Sequence, residues 1–368
     1  MKILITGGHF SPALALIREL KLRGHEVAIA GRKHPFEGDP SESYEYQAAS
    51  AEKIKFYEIK AGRFQRKFTV FTLTSLFRTP AGYLNARSII SEFLPDVVVT
   101  FGGYIGLPIA YAAWSMRIPV VLHEQTQKAG VAAKLIGRIA TKICTSFESS
   151  GKYFDKNKTI LTGNPVRPEI FKITKKIDVG NIGKKKVIYV TGGSTGSHFI
   201  NEQIGQILTE LLKDHLIIHQ TGESRFGDFE ALSAKREQLH TDLKQHYILR
   251  KFIKPDEIGY IYSISDLIVA RSGINTVMEI IATGKRCVLI PLSHGQTGEQ
   301  HDNARLIKEL GIGDYLLERI VTPETLLSKI HEVERESQEF KENLVEAKKI
   351  IIPDAAARLA EIVENVKA

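Results

Sequence analysis

The sequence predicts an α/β protein made of two parallel-sheet domains, and three observations carry that expectation. Short apolar runs of strand length lead into glycine-rich turns and then into apolar residues at helical spacing, the mark of repeated βα units. The pattern breaks at Thr162-Gly163-Asn164-Pro165-Val166-Arg167 and the lysine-heavy stretch after it, then restarts at Val187. A chain of 368 residues is long enough for two sizeable cores.

The totals narrow the class. Hydrophobic content of 43% and charged content of 25% are those of an ordinary soluble globular protein. Cys144 and Cys287 are too few for a disulfide framework or a metal-ligand cluster, which suits a reducing cytoplasm. No apolar run reaches the roughly eighteen residues of a membrane span. The opening MKILITGG reads as a strand, not as a signal segment. A formal charge of +8 suits nucleic acid, an anionic membrane or a phosphate-rich substrate without choosing among them.

In chain order, Lys2–Thr6 is a buried strand and Gly7-Gly8-His9-Phe10 a glycine turn. Ser11-Pro12 reads as a helix start, and Ala13, Leu16, Ile17 and Leu20 form one apolar face that ends at Gly24. A second strand follows at 26–30. This is how a Rossmann-type half begins. The dinucleotide reading is weak, because G-x-G-x-x-G spacing is absent and the strand ends in Gly31-Arg32, not an acidic residue. Residues 60–77 interleave Arg63, Arg66 and Lys67 with Phe64, Phe68, Phe71, Leu73, Leu76 and Phe77. They read either as a core helix with a solvated basic end or as a surface that sits on anionic lipid. Strand 95–100 ends in Phe101-Gly102-Gly103-Tyr104, with Pro108 expected to open the next helix, and strand 120–123 leads into Glu124-Gln125. The run 162–167 with Lys172, Lys175, Lys176 and Lys184 to Lys186 is expected to be the interdomain linker, its lysines solvated.

The second domain repeats the pattern. Strand 187–191 enters Gly192-Gly193-Ser194-Thr195-Gly196-Ser197, and Ile200, Ile204, Ile207, Leu208 and Leu211 line one face of the helix beyond. A Gly/Ser loop between a buried strand and a helix is a phosphate cradle, although Gly-Lys-Ser/Thr is missing. Further on, strand Leu267–Ala270, the Ser272-Gly273 turn, a helix closing at Gly284, strand 287–291 and the polar loop 293–303 form one βαβ unit. The turn offers backbone N–H groups to a phosphate, and Glu279 stands about two turns into the helix. Its alternative reading is a solvated carboxylate.

Several of these stretches resemble one family: Gly7-Gly8-His9 with Pro12-Ala13-Leu14-Ala15; Gly102-Gly103-Tyr104 with Pro108; His123-Glu124-Gln125 with Gly130 and Lys134; Thr162 to Arg167; and Arg271-Ser272-Gly273 with Thr276, Glu279, Pro291 and Gln300-His301-Asp302-Asn303-Ala304. The order and spacing of these motifs resemble the MurG family, the bacterial glycosyltransferases that turn lipid I into lipid II in peptidoglycan synthesis. The resemblance implies two Rossmann-like domains with parallel sheets facing across a cleft, the GT-B architecture. It implies a first domain of 1–164 plus 353–368 that faces acceptor and membrane, with the last helix, 355–366, packed back onto it, and a UDP-sugar-binding domain of 165–352.

The implied reaction is inverting transfer of N-acetylglucosamine from UDP-GlcNAc to the 4-hydroxyl of the muramyl sugar of undecaprenyl-linked lipid I. His9, where the first strand ends and the first helix begins, is the first choice for the base, with Glu124 and His123 in reserve; its alternative reading is a hydrogen bond to the loop or to the acceptor phosphate. Carried over by motif, the donor and acceptor contacts follow. Tyr104, Thr126, Arg167, Ser194, Thr195, Ile253, Ser272, Gly273, Ile274, Glu279, Glu299 and Gln300 hold the donor. Gly7, Gly8, Gly102 and Gly103 hold the acceptor diphosphate. Arg66, Lys67, Phe68, Phe71 and Phe77 meet an anionic membrane surface at the cytoplasmic face, peripherally. No cofactor, metal or nucleic acid is implied. No Asp-x-Asp pair is present, so the helix N-termini at 194–197 and 272–274 are expected to carry the leaving group's charge. Thr126 stands where the family usually has Asn, a reader of the donor's 4-hydroxyl, and the first loop is shorter than usual. A glycosyltransferase with another sugar or acceptor therefore stays open. So do a UDP-N-acetylglucosamine 2-epimerase and a nucleotide-sugar-binding protein without catalysis.

Overall fold

The computed structural model describes residues 1–6, 10–34, 42–59, 70–193, 196–222, 226–293, 298–335 and 338–366, apart from the side chains of Tyr44 and of residues 70–80. The chain divides into two compact units, Met1–Arg167 with Ile352–Ala368, and Pro168–Ile351. The boundary read from the sequence, 164/165 and 352/353, differs from this division by a few residues.

The first unit carries strands β1 (Lys2–Thr6), β2 (Glu26–Gly31), β3 (Lys55–Glu58), β4 (Val97–Thr100), β5 (Val120–Glu124), β6 (Lys142–Thr145) and β7 (Thr159–Leu161), with helices α1 (Phe10–Leu22), α2 (Tyr44–Ala51), α3 (Val70–Phe93), α4 (Gly103–Ser115), α5 (Val131–Ile139) and α6 (Glu148–Gly151). The sheet order is β3-β2-β1-β4-β5-β6-β7, all parallel. A parallel sheet is covered on both faces, so its strands run apolar throughout. Leu4 packs into one layer and Ile3 and Ile5 into the other, the two-residue alternation of a strand.

The second unit carries β8 (Lys186–Thr191), β9 (His215–Gln220), β10 (Tyr247–Arg250), β11 (Leu267–Ala270), β12 (Arg286–Leu289) and β13 (Gly313–Tyr315), with α7 (His198–Asp214), α8 (Asp228–Glu237), α9 (Thr241–Lys244), α10 (Pro255–Ile264), α11 (Ile274–Thr283), α12 (Glu299–Glu309), α13 (Pro323–Val333) and α14 (Gln338–Lys348). Its parallel order is β10-β9-β8-β11-β12-β13. Ile200, Ile204, Leu208 and Leu211 of α7 are fully buried against it. The last helix, α15 (Ala355–Asn365), lies in the first unit. Its Leu359, Ala360 and Val363 share a core layer with Leu16, Ile17 and Leu20 of α1. Glu364 takes Arg23 at 2.8 Å and His25 at 2.7 Å beside that layer. Truncating a buried leucine such as Leu16 or Leu359 to Ala costs about 2–5 kcal/mol, so this seam is held by packing more than by its ion pairs.

Three local expectations change. Pro108 lies inside α4 and does not open it. Gly102 and Gly103, at φ 75° and 72°, turn the chain into the helix five residues earlier, in a conformation that favours glycine. Helix α1 already includes Ser11 and Pro12, tolerated there because first-turn N–H groups have no intrahelical partner. Residues 162–167 are not a loose linker. Thr162 and Asn164 are 1% and 2% exposed, and the amides of Thr162 and Gly163 donate to the Thr145 carbonyl at 3.0 and 3.1 Å. Lys172, Lys175, Lys176 and Lys184 beyond them are exposed. Among the described residues no helix is long and apolar enough to cross a membrane.

Candidate active site

In an open parallel sheet the loops leaving the carboxyl ends of the strands form the ligand edge. In the second unit that edge is tightly cross-linked. After β8, the Gly193 amide donates to Thr191 Oγ1 at 3.1 Å. Gly196 has φ 76°, and a Cβ there would stand 2.0 Å from the Thr221 carbonyl oxygen, so only glycine lets the loop lie against the end of β9. Gln220, the last residue of β9, ties three pieces together. Its Nε2 donates to the Gly193 carbonyl at 3.1 Å, while Oε1 accepts from the Ile253 amide at 3.2 Å and from the Tyr189 hydroxyl at 3.3 Å. The Ser197 hydroxyl caps α7 by accepting from the Ile200 amide at 3.4 Å. Ser194 and Thr195 lie outside the described residues.

After β11 the chain enters α11 through Ser272 and Gly273. Ser272 is fully buried, and its hydroxyl donates to the Gln300 carbonyl at 2.7 Å. Asn303 returns a bond to the Ser272 carbonyl at 3.0 Å, and Gln300 Oε1 accepts from the Leu292 amide at 3.0 Å. The Ser272 side chain thus joins the starts of α11 and α12, while Gln300 Oε1 ties α12 to the segment after β12, and the groups at this turn suited to a phosphate are the first amides of α11, at Gly273 and Ile274. Arg271 braces the next loop. Its guanidinium donates to the Ile290 carbonyl at 3.0 Å and meets Glu318 Oε1 at 2.6 Å, and Glu318 Oε2 accepts from the Ser293 amide at 3.0 Å. Burial acts to raise the Glu318 carboxyl, but bonds from Ser293 and the Arg271 charge hold it below the usual range. Glu299, at the first position of α12, is pushed up by burial.

Glu279 is buried, at 6% exposure, and its Oε2 accepts from the Tyr262 hydroxyl at 2.8 Å. The solvated-carboxylate alternative does not hold. A buried carboxylate persists where partners compensate its desolvation, and Tyr262 on α10 supplies one.

In the first unit, Thr6 and Thr100 hydroxyls meet at 3.1 Å where β1 and β4 end, and the Gly102 amide donates to Thr100 Oγ1 at 3.2 Å. Gly102 and Gly103 form the N-terminus of α4. The Tyr104 ring lies 4.9 Å from the Arg32 guanidinium carbon. At the end of β5, His123 is fully buried with Nε2 3.0 Å from the Gly163 carbonyl, a fold-holding contact. Glu124 Oε1 accepts from the Thr126 amide at 2.9 Å and hydroxyl at 2.7 Å, and Thr126 Oγ1 is also 2.9 Å from the Lys128 carbonyl. Arg167 is half-buried at the end of this unit. Gly7, Gly8, His9, Arg66, Lys67 and Phe68 lie outside the described residues, as do the side chains of Phe71 and Phe77.

Gln220, Tyr262, Glu318 and Asn303 are structural parts of this edge that sequence reasoning gave no role. Asn303 sits inside a motif already noted; for Gln220, Tyr262 and Glu318 no local pattern points to the partner.

Two Rossmann-like units with glycine loops at their strand ends are an architecture found among glycosyltransferases. The Glycosyltransferase family 28 N-terminal domain matches residues 6–145 and the Glycosyltransferase family 28 C-terminal domain residues 187–359. The UDP-N-acetylglucosamine-N-acetylmuramyl-(pentapeptide) pyrophosphoryl-undecaprenol N-acetylglucosamine transferase of Clostridium perfringens is 32% identical, covering 92% of each chain. That of Clostridium kluyveri is 31% identical over 100% of this chain and 99% of its own. The chain belongs to this transferase family. Among solved structures, Acinetobacter baumannii MurG matches with TM-score 0.71 at 24% identity over 99% of both chains. The UDP-GlcNAc 2-epimerase of Neisseria meningitidis bound to UDP-GlcNAc shares the fold, with TM-score 0.65 at 14% identity over 100% of both.

Proposed function

We propose that this enzyme transfers N-acetylglucosamine from UDP to the 4-hydroxyl of the muramyl sugar of undecaprenyl-diphosphoryl-MurNAc-pentapeptide, inverting the anomeric carbon. The observation that carries the reading is identity of about a third, across essentially the whole chain, to transferases named for that reaction. In the reaction the acceptor oxygen bonds to C1 of the sugar as the C1–O bond to the diphosphate breaks. The hydroxyl proton passes to a base and UDP leaves as the anion. The first amides of α7 and α11 stabilise its phosphates. Glu279 takes the ribose hydroxyls and Arg167 the uracil, and Ile253 is assigned to the donor. Glu299, Gln300, Tyr104 and Thr126 are assigned to the donor sugar, Ser194 and Thr195 to the diphosphate, and Gly7, Gly8, Gly102 and Gly103 to the acceptor diphosphate.

His9 is the assigned base and Glu124 its reserve. A free imidazole with a pKa near 6.5 has a neutral fraction at physiological pH. His9→Ala should lower turnover by about 10²–10⁴ and flatten the acidic limb of the pH–rate profile, with UDP affinity unchanged. A loss confined to acceptor affinity, with turnover at saturation preserved, moves the base to Glu124. The protein works peripherally at the cytoplasmic face of the membrane, held through Arg66, Lys67, Phe68, Phe71 and Phe77; the basic–aromatic alternation of that stretch supports this. The reaction itself is tested by mass spectrometry of lipid I incubated with UDP-GlcNAc and enzyme. Gain of one N-acetylhexosamine, β-linked by NMR, supports it; an unchanged acceptor rejects it. A different donor sugar is the second reading, because Thr126 replaces the family's usual Asn and engages Glu124 and Lys128.

A further inference from the structure

Gln220 closes β9, the strand between β10 and β8 at the ligand edge of the second unit. In register it stands opposite Thr191 at the end of β8 and Arg250 at the end of β10. Its side chain reaches past both neighbours, to Gly193 on one side and Ile253 on the other. The residue is 9% exposed, so water competes little for these bonds.

The partners settle which way its amide faces. The Gly193 carbonyl can only accept and the Ile253 amide can only donate, so Nε2 meets the first and Oε1 the second. Turned over, the group would set oxygen against oxygen and N–H against N–H. With Oε1 fixed as an acceptor, the Tyr189 hydroxyl at 3.3 Å is a donor and takes its second lone pair. An ionised Glu would lack the donor, and Asn is one methylene shorter.

The bridge extends beyond its ends. Gly193 immediately precedes Ser194 and Thr195, the residues assigned to the diphosphate. Ile253 leads through the cap residue Lys254 into α10, which carries Tyr262. The Tyr189 and Tyr262 rings meet edge-on, with centroids 6.0 Å apart and planes at 70°. Both residues are buried, and the Tyr262 hydroxyl holds Glu279 at 2.8 Å. A continuous line of contacts therefore runs from the start of the loop after β8, through Gln220, to the carboxylate assigned to the ribose. Contacts fixed by the fold do not have to be ordered by the ligand, and the difference appears as affinity. We propose that Gln220 is a positioning residue of the donor site, holding the diphosphate loop and the Ile253–Tyr262–Glu279 side in one arrangement that the nucleotide meets as a unit. The role rests on the nucleotide-sugar reading above.

The test is a double-mutant cycle on UDP affinity, by calorimetry on the full chain, with Gln220→Leu, Tyr262→Phe and the two combined. Thermal unfolding of each protein runs alongside. Gln220→Leu removes the bonds to Gly193, Ile253 and Tyr189 at similar volume, and should weaken UDP about tenfold. In the Tyr262→Phe background Glu279 is already released, so the same change should weaken UDP by only about threefold. A bond serving stability alone would lower the unfolding midpoint and leave UDP affinity unmoved. Unchanged UDP affinity in Gln220→Leu, or equal losses in the two backgrounds, overturns the proposal. If Gln220→Leu does not fold, Tyr189→Phe takes its place in the cycle, because it removes one hydroxyl and keeps the shape. Its expected loss is about two- to fivefold, and no loss there overturns the proposal as well. If the unaltered chain binds no UDP, the nucleotide-sugar reading itself falls and takes this role with it.

Discussion

At the residue scale the decisive side chain is Glu279. Its carboxylate is buried and already accepts from Tyr262, so it is oriented before any ligand arrives. A hydrogen bond to a charged group is worth roughly 1.5–3 kcal/mol, and about 1.4 kcal/mol is tenfold in affinity. Glu279→Ala should weaken UDP by about one to two orders of magnitude in calorimetry, and Tyr262→Phe by less, since it frees the carboxylate without removing it. Unchanged UDP affinity in a folded Glu279→Ala protein would leave this residue a purely structural carboxylate. Glu279 was singled out in the sequence by its fixed spacing from the Ser272-Gly273 turn. Its burial was not legible there, because Tyr262 comes from the preceding helix, across an intervening strand. Ser272 teaches the same lesson: its hydroxyl is spent on Gln300, twenty-eight residues away, and no local spacing encodes that.

At the element scale the strand–turn–helix repeats were readable because each is written in contiguous sequence, with apolar spacing for the helix face and glycine for the turn. Element edges were less so. In α4 the paired glycines outweigh the proline signal. In 162–167 turn-forming residues proved to be a buried closing segment, because their amides and carbonyls pair with β6 and His123. One contact between elements was invisible beforehand. His215, capping α7, is buried with Nε2 2.9 Å from Glu334 Oε1 at the end of α13. Burial alone would lower this imidazole's pKa, but the bond and charge of Glu334 outweigh it and the net shift is upward. A raised folded pKa gives stability that is complete below the unfolded value of about 6.5 and is lost as pH rises through the folded one. Thermal unfolding should therefore show a falling midpoint for the second unit from mildly acidic to alkaline pH, and Glu334→Gln should remove this component. Identical pH slopes in the two proteins would contradict the assignment.

At the scale of the whole molecule, the fold class was legible from recurrence alone: seven parallel strands in one unit and six in the other repeat a single βα theme. The family was legible from the order of its motifs. The proposed acceptor and membrane contacts depend on stretches 7–9 and 60–69, outside the described residues. Three cations at about 1 kcal/mol each give only a weak, salt-sensitive hold on an anionic bilayer, and inserted aromatics must add the rest. Phe68→Ser with Phe71→Ser should abolish flotation with anionic liposomes while leaving UDP affinity intact. Loss of solubility in that variant would make both residues core and end the membrane claim.

The central claim is a pairing of one donor with one acceptor, and UDP release reads both at once. The purified chain is given a panel of UDP-sugars, each with and without lipid I. Release is expected with UDP-N-acetylglucosamine, dependent on lipid I and accompanied by loss of the acceptor. Release driven by another UDP-sugar, or conversion of UDP-N-acetylglucosamine without any acceptor, would contradict it.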